Sequence, residues 1–191
     1  MYKLSAIFLL SIVLMSCQTS LSEKETKLYL EKGLLVSKST GKELSETLSN
    51  KMKSGGVIEA VEFCNVAALP LTQQMSDRHE VLIKRTSLKT RNPLNKPTQN
   101  ELLILKEFQL NLDKGISLEP KIVLGQNGTP NYYAPILVQK KCLKCHGTLN
   151  KELSKSTDSI IKSYYLNDMA TGYSEGDLRG IWSISFTKSK F

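Results

Sequence analysis

The chain is short of the residues that usually build metal sites and membrane spans. Its 191 residues include two histidines, four cysteines and one tryptophan. Its N-terminal apolar run, Leu4 to Met15, falls short of the roughly 20 residues that cross a bilayer. No internal repeat or low-complexity tract is present, which excludes a solenoid. Acidic residues are in the minority, 18 against 26 basic ones, for a formal net charge of +8. In a cytoplasmic protein that balance would suggest nucleic acid. Outside the cytoplasm it suits anionic headgroups or an acidic redox partner. With so few histidines and cysteines, each asks for a role.

The N-terminus assigns one of them. Lys3 begins a short basic region, and an apolar run of about 12 residues follows from Leu4 to Met15, the length of a signal h-region. Leu14-Met15-Ser16-Cys17 resembles the bacterial lipobox, in which the cysteine is acylated and becomes the new N-terminus. Residues 1–17 therefore read as a lipoprotein signal peptide, 18–24 as a tether and 25–191 as a single domain. The lipid would anchor the protein on a membrane face without spanning it. Gln18 follows Cys17, so no aspartate retention signal is present. This points to the periplasmic face of the outer membrane and away from nucleic acid.

Cys142-Leu143-Lys144-Cys145-His146 is the attachment pentad of a c-type haem. Two thiols three residues apart lie about one helical turn from each other and can add to two porphyrin vinyl groups. The adjacent histidine then supplies one axial nitrogen to the iron. A zinc half-site fits less well, because Cys145 and His146 are too close in sequence to share one metal comfortably. A thioredoxin-like dithiol would sit in a βαβ pattern, which is missing. One covalent haem c leaves Cys64 as an unpaired thiol in an oxidising compartment. On residue chemistry alone the second axial position stays open among Cys64, Met52, Met75, His79 and Met169. Haem also brings two propionates, and the basic run from Lys84 to Lys96 offers Arg85 and Arg91 as their guanidinium partners.

Leucines recurring from 21 to 54 predict helix, with breaks possible at Gly33 and Gly41 and a hinge at Gly55-Gly56. Val57, Val61, Cys64, Ala68 and Leu71 form the apolar stripe of a second helix, turning Cys64 inward, and Pro70 is expected to kink or end it. Glu80–Thr86 reads as a strand. Thr98 and Glu101 form a capping box for a helix ending near Gly115. Strands are expected at 121–125 and 132–139 around an Asn127-Gly128 turn, a short helix at the pentad, and a half-buried strand at 181–187. The class is α+β.

Phe63-Cys64-Asn65, the block from Lys84 to Asn95, the pentad with Gly147, and Gly172-Tyr173-Ser174-Glu175-Gly176-Asp177-Leu178-Arg179-Gly180 together resemble a bacterial single-haem c-type family with a PAS-like fold. That family was long known only as a domain of unknown function. The resemblance runs from about residue 25 to 188. It implies a PAS-like antiparallel sheet with long N-terminal helices, and a cysteine thiolate, here Cys64, as the ligand opposite His146. One departure stands out: Leu166 occupies a position where proline is expected. Axial ligation by His146 and Cys64 implies a redox or ligand sensor or a low-potential electron-transfer protein, with a possible redox or signalling protein partner. The alternative is a haem enzyme, a peroxidase or small-molecule reductase, which would need an open distal position.

Overall fold

The computed structural model describes residues 20–186. The signal-peptide and Cys17 readings lie outside them. The helical start is set by Ser22, whose hydroxyl accepts from the Glu25 N–H while the Glu25 carboxylate accepts from the Ser22 N–H. Such a box contributes about 1 kcal/mol. From it runs α1, Glu23–Glu62, straight through Gly33 and Gly41. These two glycines mark close packing. A Cβ on Gly33 would lie 2.2 Å from the Tyr132 ring, and one on Gly41 would lie 3.3 Å from Trp182. The true break is at Gly55 and Gly56, where Gly56 adopts φ 67°, ψ −150°, a region only glycine visits freely.

Pro70 does not end the next helix. A π-helical turn, Phe63–Ala67, comes first, with the Ala68 N–H reaching back to the Phe63 carbonyl. Helix α2, Ala68–His79, then continues from it without a gap. Pro70 is thus accommodated inside the helix just after the π-type turn, which takes up the i to i−4 bond that its missing N–H cannot make.

Four strands form one antiparallel sheet in the order β1 (Leu82–Thr86), β4 (Leu178–Ser185), β3 (Pro130–Leu137), β2 (Lys121–Leu124). The Asn127-Gly128 turn joins β2 to β3, with the Gly128 N–H on the Gly125 carbonyl. The expected capping box of Thr98 and Glu101 opens α3, Gln99–Asp113. The remaining α-helices among the described residues are the short α4 of the pentad, Leu143–His146, and α5, Lys155–Tyr164.

β4 is buried on both faces, not one. Ile181 packs with Tyr133, Leu105 and Phe108 beneath α3. Ile184 packs with Tyr132, Ala134 and Val36 beneath α1. The sheet is therefore sandwiched between α3 and α1, an α+β architecture with a long N-terminal helix. Leu166 lies in a turn closed by the Asp168 N–H on the Tyr165 carbonyl and is 89% exposed. The departure from proline thus falls at a solvent-facing second turn position, one that proline and many other residues fill.

Candidate functional site

Segments far apart in sequence meet around one cavity of about 620 Å³, within the range of about 300–1,000 Å³ typical of cofactor sites. The C-terminal half of α1 supplies one wall with Leu44, Leu48 and Met52. The π-helical turn adds Phe63 and Cys64. Cys142, Lys144 and His146 of the pentad, Arg85 to Asn95, and Arg179 with Trp182 from β4 close the rest. π-Turns recur at functional sites because they push one residue out of helical phase. Here the turn carries Cys64.

The pentad histidine is held in one tautomer. His146 Nδ1 donates to the Ala170 carbonyl at 2.7 Å, which leaves the Nε2 lone pair free to act as a metal ligand. Burial first, then the positive charges of Arg179 and Arg91, push its pKa well below the usual imidazole value. The ring is therefore neutral at pH 7, the form that binds a metal. Its edge meets Tyr173 in a T-shaped contact, centroids 6.4 Å apart.

Cys64, Cys142 and Cys145 are all free thiols, as addition to a porphyrin requires. Cys142 lines the cavity. Cys145 packs beside it among Val61, Leu153, Ile161 and Tyr165. Burial raises the pKa of both Cys145 and Cys64; for Cys64 the Arg85 guanidinium opposes the rise. Tyr165, on the same wall, is pushed up to about 12 by burial and by Cys64. Of the other axial candidates only Met52 reaches the cavity. Met75 is buried in the core, Met169 is exposed, and His79 Nε2 is hydrogen-bonded to Ser39 Oγ at 3.0 Å.

Arg91 lines the cavity and is already engaged by protein groups. Its Nε and Nη2 engage Asp168 at 3.1 and 3.0 Å, and Nη2 also donates to the carbonyls of Cys145 (2.7 Å) and Ala170 (3.3 Å). Ala170 is the residue that orients His146. One guanidinium therefore ties the end of the pentad to the loop after α5. That loop also places the Gly172 and Tyr173 N–H groups on the Gly147 and His146 carbonyls. Asp168 is 2% exposed and Arg91 11%. Asp168→Ala leaves a buried cation unpaired and is expected to cost about 3–5 kcal/mol, measured by urea unfolding. A loss below 1 kcal/mol would show that the pair is not structural.

The partly buried arginines of the cavity wall that lack a carboxylate partner among the described residues are Arg85 and Arg179. Arg85 lies 5.8 Å over the Trp182 ring and forms no ion pair among the described residues. Arg179 donates from Nη1 to Ser87 Oγ and the Lys89 carbonyl, at 3.0 and 3.2 Å, with its guanidinium over Tyr173. Sequence alternation could not single out Arg179. The β3–β4 register jumps from Ile136↔Gly180 to Leu137↔Leu178, leaving Arg179 as the extra residue of a bulge. Bulges re-aim side chains in this way. Gly180 is required beside it, since a Cβ there would lie 2.3 Å from the Thr86 carbonyl oxygen.

The chain's residues therefore suit a haem: two free thiols, a neutral imidazole with one nitrogen available, a third thiol on another wall, and cations for carboxylates. Among the described residues no group of three or more His, Cys, Asp or Glu could hold a metal ion, so the zinc reading finds no further ligands. The family model described as Tll0287-like matches residues 16–187. The crystal structure of the cyanobacterial haem protein Tll0287 is similar, with a TM-score of 0.57 at 23% identity, covering 83% of this chain and 96% of that one. No curated protein matches.

Proposed function

Because the chain belongs to the Tll0287-like family, we propose that its cavity holds one haem c joined to Cys142 and Cys145, with His146 and Cys64 as axial ligands. In this reading the protein is a redox sensor or low-potential electron carrier, held by a lipid on Cys17 at the periplasmic face of a membrane. The observation that carries the reading is the convergence of Cys142, His146 and Cys64 on one cavity.

A haem bound here supplies a one-electron couple whose potential its axial ligands set. The chain supplies the rest. His146 offers Nε2 because the Ala170 carbonyl holds Nδ1–H. Arg91 and Asp168 keep that carbonyl in place. Arg85 and Arg179 offer charge to carboxylates. Leu44, Phe63 and Trp182 wall the site with apolar surface. A peroxidase or reductase would want a base beside an open position. His146 is the sole histidine on the cavity wall, and His79 is held by Ser39 outside it.

The test is the ferric optical spectrum of protein co-expressed with a haem c maturation system. Both axial positions are filled in this reading, so a low-spin spectrum that azide leaves unchanged is expected. A high-spin spectrum that shifts on azide addition would put the enzyme reading in its place. Cys17→Ser should move the protein from the membrane to the soluble periplasmic fraction. Fractionation like wild type would remove the anchor from the account.

A further inference from the structure

We propose that the mouth of the cavity is a docking face for an acidic protein partner, an inference that rests on the haem reading above. Six cationic side chains line the cavity, and no aspartate or glutamate does. Arg91 is neutralised by Asp168. Two haem carboxylates would offset two of the other five, an ionised Cys64 being balanced by the single positive charge of a ferric porphyrin core. Positive charge is left over, and it lies on the outside: Lys53, Lys141 and Lys144 are exposed, whereas Arg85 and Arg179 are partly buried. None of the three lysines forms an ion pair among the described residues.

These lysines sit on both sides of one opening. Lys53 follows Met52 on α1, and Lys141 and Lys144 flank Cys142. Lys141 Nζ approaches Ser45 Oγ on α1 at 3.4 Å, so the two rims are neighbours. Between them lie apolar side chains: Leu137, 43% exposed, with Leu48 and Met52 half-buried. An apolar centre inside a charged rim is the anatomy of a transient protein interface. A rim of one sign steers a partner of the opposite sign and fixes its orientation. The partner is therefore a protein with a carboxylate-rich patch.

The experiment uses holoprotein and a labelled decaglutamate peptide, read by fluorescence anisotropy at low salt, with a haem-stained gel of each preparation. Lys53→Glu/Lys141→Glu/Lys144→Glu is expected to weaken peptide binding by about tenfold or more. Lys32→Glu/Lys106→Glu/Lys114→Glu makes the same change in net charge at exposed positions off the cavity, and should alter binding less than about twofold. Equal weakening by both triples would overturn the docking face in favour of net charge alone. Should the first triple fail to fold, the corresponding glutamine triple is used, with a loss of about threefold expected and no loss overturning the proposal. Vesicles containing phosphatidylglycerol are the second probe. A front triple that abolishes vesicle binding and leaves peptide binding intact would assign the face to lipid and overturn the partner. A preparation without a haem-stained band would count against the haem reading, whatever the peptide shows.

Discussion

Cys142→Ala/Cys145→Ala is expected to abolish the haem-staining band that wild-type protein shows at its own mass on a denaturing gel. Staining that survives denaturation requires a covalent link, and the pentad thiols are the two that α4 places together. Both are free in the structure, one on the cavity wall and the other packed beside it. The double variant should still fold. Removing two partly buried sulfurs costs on the order of 1 kcal/mol each, and the Arg91–Asp168 pair continues to tie the pentad to the following loop. A band of undiminished intensity would rule out attachment at these cysteines.

Cys64→Ala is expected to have the second largest effect, this time on the reduction potential. An anionic sulfur donor stabilises the ferric state over the ferrous one. Replacing it with a methyl group should raise the midpoint by on the order of 100 mV, within the range of about 0.8 V over which axial ligands move haem potentials. The same variant should turn the ferric spectrum high-spin. In the proposed reading Cys64 is also the element of a redox switch. It sits on a π-helical turn, eight residues after the Gly56 break, and packs with Leu44, Phe63, Ala68 and Trp182. Reduced wild-type protein should therefore bind CO more readily than a cytochrome with histidine and methionine ligands, as a two-state element predicts. A midpoint and ferric spectrum unchanged by Cys64→Ala would end the assignment. Met52, the other axial candidate on the cavity wall, would be tested next.

Local signals in the sequence carried much of the fold. The Thr98–Glu101 capping box, the Asn127-Gly128 turn and the pentad helix all depend on residues within a few positions of one another. What escaped was set by distant neighbours. Gly33 and Gly41 look like helix breakers until Tyr132 and Trp182 are seen against them. Pro70 looks like a helix end until the π-turn before it absorbs the lost hydrogen bond. Ile181 reads as half-exposed because α3, which covers it, lies some 70 residues earlier in the chain. The candidate site divides the same way. The pentad follows from spacing; Cys64 reaches the cavity as its stripe suggests, but by way of a π-turn that the spacing does not show. The roles of Arg91 and Arg179 do not follow from spacing, because a buried aspartate 77 residues away claims the first and a bulge in β4 aims the second.

The central claim is that His146 and Cys64 both bind the iron of one haem. Low-temperature electron paramagnetic resonance of the ferric wild-type protein tests it most directly. The account predicts a single low-spin species with the narrow spread of g values that a thiolate ligand produces. A high-spin axial signal, or a broad low-spin signal of the histidine–methionine kind, would contradict it.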